Sequence, residues 1–351
     1  MATNDRVEIA FVWSDIRRPI GGAEYFLLDV LRNLKLMNYK VSVKVYDIDQ
    51  GLSLIKELNS YDLVIMHSLN KVLALIPFIK VPTLIDVHSP DWLWYFRERE
   101  LGFRLRPETR LKRWVFRVLG KRVYCRVLNK FDYEVFDKYC KRVFLVPNFV
   151  DAEVFRPSAP KADEFTVVVR YDEGIKGGFH VFLKALKLLG KSRWLNAVII
   201  GKEPPRPILN FINKFVNNVV TLGRVLSRES LANVYSRAHV TIIPSLYESF
   251  SLTALESLAC GTPIIMAKLP PTDWYVKEIT TEEPGTGLTF RPGDSLGLAE
   301  RLRTMYEVWL RYKDIYDQST IISREISRKF DVRIVLPIYF KMILNVVGIM
   351  L

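Results

Sequence analysis

The strongest constraint on this chain is an alternation of short apolar runs and helical segments that runs, stops and starts again. Apolar runs at Val7–Val12, Val41–Tyr46, Leu63–Met66 and Thr83–Val87 are interleaved with segments of helical spacing such as Tyr25 to Leu36. The pattern restarts at Phe165–Val169. It continues through a helix from Phe179 to Leu189, then Asn196–Gly201, Val219–Gly223 and Val240–Ile243. Strands that are apolar on both faces belong in a parallel sheet covered by helices on either side. Two such series predict two doubly wound α/β domains. The length agrees, because 351 residues are too many for one comfortable core. The linker is expected within Asp151 to Glu164, rich in proline and charge. The domains then run 1–158 and 159–329, with an apolar, helical last segment at 330–351.

Composition narrows the function classes. A hydrophobic content of 49% argues for a globular chain rather than a disordered one. No run of about 18 apolar residues is present, so a transmembrane helix is not expected. The short polar stretch Met1 to Arg6 leads straight into a strand, which predicts no signal peptide. Cys125, Cys140 and Cys260 form no Cys-x-x-Cys pair, which predicts a reducing compartment and no metal site. The chain is therefore expected in the cytoplasm, with Cys260 a core residue. Gln50 and Gln318 are its only glutamines, a tilt toward a thermophilic source. The net charge of +13 is concentrated, for Arg97 to Arg126 holds eleven Lys/Arg against three Glu. Such a segment predicts an anionic partner: a membrane surface, a phospholipid-linked substrate or nucleic acid, the last being the least expected.

The most informative chemistry lies between Val240 and Pro263. A buried strand ends at Pro244, a polar turn carries Glu248, and a helix begins near Ser251 with Leu252, Leu255, Glu256 and Ala259 at helical spacing. Gly261-Thr262-Pro263 ends that helix. A helix N-terminus is a natural anion site, and Glu256 lies about one and a half turns in. A positive backbone end beside two carboxylates suits a ligand with both phosphate and hydroxyl groups. Helix-end glutamates that merely face water are the alternative.

This stretch resembles the signature of retaining glycosyltransferases of the GT-B fold, family 4. The resemblance implies two Rossmann-like domains facing across a cleft, with a final helix crossing back to the N-terminal domain; a helix capping the second sheet is the alternative. It implies that Glu248 contacts the donor sugar and Glu256 the nucleotide ribose. Ser249, Phe250 and Ser251 would complete the donor-binding turn. Arg170, with Lys176 in Gly174-Ile175-Lys176-Gly177-Gly178, matches the family pair that holds the donor diphosphate, although Val169 stands where the family has glycine. Gly21 and Gly22 match its glycine-rich first loop, which lets backbone approach a phosphate or sugar; a plain strand-to-helix loop explains them too. Glu24 is read as a cap of the helix that follows. His88, in Asp86-Val87-His88-Ser89-Pro90, matches a residue that contacts the donor sugar near the reacting carbon, whereas lone strand-end histidines are commonly structural. Asn148 sits in a Val146 to Asp151 segment resembling the family's Pro-Asn-Gly-Val-Asp element, with Phe149 in place of its glycine. Gly201 and Gly223 border the nucleobase or simply end strands. Asp47-Ile48-Asp49 has metal-motif spacing but follows an early strand, so no metal is assigned and no cofactor is required beyond a nucleoside-diphosphate sugar as substrate.

Pro107 can open a helix in which Arg106, Arg110, Arg113, Arg117 and Lys121 recur at three- or four-residue spacing. Leu111, Trp114, Val115 and Val118 fall on another face, and the aromatic cluster Trp92-Leu93-Trp94-Tyr95-Phe96 precedes it. Cations beside aromatics suit an anionic membrane surface and a lipid-linked or glycan acceptor. In the alternative, the apolar face packs on the sheet and the arginines are solvated. The expected function is transfer of a sugar to an acceptor hydroxyl. Two rivals share the fold: a polyanion- or membrane-binding protein without catalysis, and a sugar-nucleotide epimerase.

Overall fold

The computed structural model describes residues 6–13, 22–33, 41–67, 73–88, 107–223 and 227–349. It divides into two compact units, 1–148 with 333–351, and 149–332.

The first unit is built on six parallel strands: β1 (Val7–Trp13), β2 (Val41–Asp47), β3 (Leu63–His67), β4 (Thr83–Asp86), β5 (Tyr124–Val127) and β6 (Arg142–Leu145). Their order is β2-β1-β3-β4-β5-β6. Residues 9–13 of β1 and 63–66 of β3 are buried, as their uninterrupted apolar sequence requires. Helices α1 (Gly22–Asn33), α2 (Ile55–Leu58), α3 (Pro107–Leu119) and α4 (Lys130–Phe136) belong to this unit. The chain lays β2 on one side of β1 and β3 on the other, so strand order reverses between β1 and β3.

The second unit repeats the plan with β7 (Thr166–Tyr171), β8 (Ser192–Gly201), β9 (Val216–Thr221), β10 (Val240–Ile243), β11 (Ile264–Ala267) and β12 (Gly287–Phe290). The order is β12-β11-β10-β7-β8-β9, all parallel. Helices α5 (Phe179–Leu189), α6 (Arg206–Ile212), α7 (Arg228–Arg237), α8 (Leu252–Ala259), α9 (Thr272–Tyr275), α10 (Ser295–Arg311) and α11 (Lys313–Arg328) accompany it. The last helix, α12 (Val332–Val346), runs through Pro337. It packs within the first unit, where the Tyr339 hydroxyl donates to Asp86 Oδ2 at 3.2 Å and Arg142 donates to Asn345 at 2.9 Å. It does not cap the second sheet.

Four strands were not singled out in the sequence, β5, β6, β11 and β12, although β11 is wholly apolar. Each has only four residues, and β5 holds Arg126 in its middle. Cys125 and Cys140, which the expectation of a reducing compartment left as thiols, form a disulfide. Cys125 lies on β5, and Cys140 just precedes β6, its hydrogen-bonded neighbour. Sheet pairing brings the two together, which sequence spacing does not reveal. A closed loop of this size restrains the unfolded chain by about 3 kcal/mol. Cys260 is buried and in no disulfide, its thiol pushed up to about 12 by burial. Asp47, of the metal-like spacing, instead accepts from the Asp49 backbone N–H and caps the turn after β2.

The proline-rich segment 151–164 is stitched to the second unit. Ala162 N donates to Arg237 O, and Lys161 Nζ donates to Ala238 O at 2.7 Å and to Thr262 Oγ1 at 2.5 Å. Burial pulls the Lys161 ammonium down from 10.5 to about 7. The unfolded chain therefore binds more protons than the folded one between those values, and stability rises with pH across that window. Unfolding midpoints in denaturant from pH 7 to 10 should show this rise, and Lys161→Met should flatten it. An equal slope in the variant would remove Lys161 as its cause.

Candidate active site

In an open parallel sheet, ligands bind beyond the carboxyl ends of the strands where strand order reverses. In the second unit that point lies between β7 and β10. Arg170 is near the end of β7, and the turn after β10 carries Glu248. The intervening loop, Gly174 to Gly178, is pinned against this turn: Leu246 N donates to Lys176 O at 2.8 Å. Gly178 makes the approach possible. Its φ is 69°, and a Cβ there would stand 1.8 Å from Pro244 O. Only glycine satisfies both the left-handed backbone and the contact. Lys176 is thereby drawn beside Glu248, with its Nζ over the Tyr247 ring at 5.6 Å.

The electrostatics record the same cluster. Burial pushes the Glu248 carboxyl above its ordinary value. Lys176, the Ser245 hydroxyl and Arg170 pull it back, and Asp172 adds to the rise. Ser245 Oγ donates to Glu248 Oε1 at 2.8 Å and orients the carboxylate. Asp172 accepts from Gly174 N at 2.9 Å and so shapes the cationic loop. Glu256, on α8, takes a 3.4 Å hydrogen bond from the Tyr235 hydroxyl. Burial and Glu256 push the Tyr235 phenol well up, and Arg170 opposes them. The exposed Arg170 guanidinium thus acts on the surroundings of both glutamates.

Ser251 is the N-cap of α8 and accepts from Ala254 N. At φ 61° it is the only non-glycine residue with positive φ among the described ones. Such a conformation costs about 1–3 kcal/mol and is held only where the surroundings over-determine it. Here the Tyr275 hydroxyl fixes Phe250 O at 2.6 Å, and Ser257 ties α8 to Thr241 at 2.8 Å. Ser249 is buried with its hydroxyl 3.0 Å from that of Tyr247. The Phe250 ring is buried against Trp274, Tyr275 and Phe330, so its side chain serves the core and only its backbone could face a donor. Gly201 and Gly223 close the strand ends through a hydrogen bond from Gly201 N to Gly223 O at 2.9 Å.

The other expected site residues lie in the first unit. His88 follows β4 with its side chain only 5% exposed, its Nε2 3.1 Å from Asp86 Oδ1. Its Nδ1 is 3.5 Å from the Asn148 amide. Arg126 organises this cluster. Fully buried, it donates to Asp86 at 2.7 Å, Asn148 at 2.8 Å, and the carbonyls of Val146 and Pro147 at 3.0 and 2.7 Å. It stacks over Phe26 and Tyr339 at 4.3 and 5.0 Å. Arg126 is therefore a core residue, not part of a basic surface. Gly22 opens α1, while Gly21, Trp92 and Trp94 lie outside the described residues.

Of the basic helix, Arg110 and Arg117 are exposed and Arg113 is half-buried. Packing of its apolar residues on the sheet is overturned for three of them, since Leu111, Trp114 and Val118 are exposed; Phe116 is the residue that turns inward. No helix among the described residues is long and apolar enough to cross a membrane. Sequence reasoning missed Ser245, Asp172 and Tyr235. Ser245 carried a local signal, a hydroxyl three residues before Glu248; Tyr235 carried none.

Known proteins resemble this chain in sequence and in fold. Residues 163–307 match the family described as glycosyl transferases group 1. An MMP α-(1→4)-mannosyltransferase of Mycolicibacterium hassiacum is 33% identical over 131 residues, 36% of this chain and 32% of that protein. A D-inositol 3-phosphate glycosyltransferase of Nocardiopsis dassonvillei is 29% identical over 149 residues, 36% of this chain and 35% of the relative. The matches thus span about a third of these relatives' length. Among solved structures, sucrose-phosphate synthase from Thermosynechococcus elongatus superposes with a TM-score of 0.78 at 17% identity, covering 98% of this chain and 100% of the other. Anabaena HepE in complex with UDP and glucose gives 0.74 at 14% identity, over 97% and 100%. The fold is GT-B, and residues 163–307 of the chain are similar to the family described as glycosyl transferases group 1.

Proposed function

We propose that this protein is a retaining glycosyltransferase that moves a sugar from a nucleoside-diphosphate sugar to the hydroxyl of a lipid-linked or glycan acceptor. The observation that carries the reading is the convergence of Arg170, Lys176 and Glu248 at the strand-order reversal of the second sheet, beside the N-terminus of α8. The bond between the anomeric carbon and the diphosphate breaks, and the diphosphate leaves with the electron pair. Arg170, Lys176 and the α8 backbone N–H groups stabilise that developing charge, where preorganised donors lower a barrier most. The acceptor oxygen bonds to the same face of the anomeric carbon, and its proton passes to the departing phosphate. Glu248, oriented by Ser245, holds sugar hydroxyls; Glu256, braced by Tyr235, holds the ribose. By the family resemblance His88, its ring fixed by Asp86, is assigned to the donor sugar as well. The relatives' names, a mannosyltransferase and an inositol phosphate glycosyltransferase, support transfer to a hydroxyl acceptor.

The first test is a thermal-shift screen against UDP, GDP and ADP and their sugar conjugates. Binding to the folded state raises the melting temperature by mass action. One base should give a shift. Arg170→Ala should weaken that ligand about 10- to 100-fold, the worth of a charge-assisted hydrogen bond or two. No shift with any nucleotide in a folded protein would end the transferase reading.

A further inference from the structure

The exposed face of α3 does not belong to the donor site. Leu111, Trp114 and Val118 are 61%, 61% and 57% exposed, an unusual concentration of large apolar side chains on one short helix. Arg110, Arg117 and Lys121 are exposed as well. At about 100° per residue the five positions within α3 share one arc of roughly 120°, with Trp114 inside it, and Lys121 follows in the 3-10 turn Gly120–Arg122. No acidic residue occupies a position on that arc. Beyond the helix the cationic strip continues to the exposed Arg122, which lines an open groove of about 710 Å³ together with Phe78 and Lys80. Phe78 is 52% exposed. The groove lies at the amino ends of β4 and β5, away from the strand ends that carry His88.

We propose that this face docks on an anionic phospholipid bilayer, with Leu111, Trp114 and Val118 entering the interface and Arg110, Arg117, Lys121 and Arg122 meeting lipid phosphates. Solvated cations alone would need no apolar residues between them, and a protein-binding patch would not need four cations that pair with no carboxylate among the described residues. Both features together match interfacial helices, whose binding adds buried apolar area to attraction by anionic lipid. The inference rests on the transferase reading only for its purpose, reaching a lipid-linked acceptor.

Co-sedimentation of the full chain with vesicles tests it without any donor. Vesicles of equal parts phosphatidylglycerol and phosphatidylcholine should bind the protein, and pure phosphatidylcholine vesicles should not. The triple variant Leu111→Ser, Trp114→Ser, Val118→Ser and the triple variant Arg110→Glu, Arg117→Glu, Lys121→Glu should each lower binding about tenfold or more. Both should keep the wild-type melting temperature and nucleotide-induced shift, which separates this surface from the donor site. Absence of vesicle binding by the folded wild type would overturn the proposal, as would binding that the serine variant leaves unchanged. A solution dimer dissolved by the serine variant, without vesicle binding, would reassign the face to a second copy. Tight binding to duplex DNA with none to vesicles would reassign it to nucleic acid.

Discussion

Glu248→Gln is expected to lower kcat about 100-fold or more while leaving donor-sugar affinity within a few-fold. The amide keeps the shape and can still accept from Ser245, so the turn should hold. What it loses is the negative charge beside Lys176 and Arg170, in a place where burial already makes charge costly. In the proposed transfer, positive charge develops on the sugar only as the diphosphate departs, so the carboxylate matters more in the transition state than in the bound ground state. A 100-fold loss corresponds to about 2.7 kcal/mol. Steady-state kinetics paired with direct titration of the donor would read it. A weakened donor with turnover unchanged would contradict the role assigned to Glu248.

Arg126→Met should destabilise the protein by about 3–5 kcal/mol, the usual consequence of leaving one member of a buried ion pair alone. Burial by itself would raise the Asp86 carboxyl, but Arg126 and His88 outweigh it and hold it well below the ordinary range. A depressed carboxylate contributes stability above its unfolded value of 3.8, and that contribution is lost as the pH falls through the folded value. Without Arg126, Asp86 is a buried charge with its main partner removed, so acidification should narrow the gap between variant and wild type. Adding Asp86→Asn should recover a good part of the loss. Denaturant unfolding of the single and double variants reads both effects. A single variant within 1 kcal/mol of wild type would mean that water or another group replaces the guanidinium, against the burial seen here.

Much of the donor half was legible because its signals are local. Continuous apolar runs marked β7 and β10, a period-3.6 pattern marked α5, and the Glu248 turn, the α8 start and the Gly-Thr-Pro stop occupy one short stretch. The Arg170 and Lys176 pair was also legible, since Arg170 lies near the end of β7 and Lys176 in the loop between β7 and α5. The first unit was less so. Its short strands β5 and β6 carry arginines, and the pattern that flags a buried strand is absent where a buried charge is paired by a distant residue.

What the sequence determined by itself was the number of sheets, their parallel construction and the positions of the two glutamates, because strand and helix periodicity and turn chemistry act over a few residues. Only the tertiary structure decided the pairings. It joined Cys125 to Cys140 and Arg126 to Asp86, 40 residues apart, and set Tyr339 against the same aspartate, 253 residues away. It also turned Leu111, Trp114 and Val118 outward rather than inward. A helical pattern shows which residues share a face. Which face meets the sheet depends on the volume left between neighbouring elements, and that is fixed only when the whole unit packs.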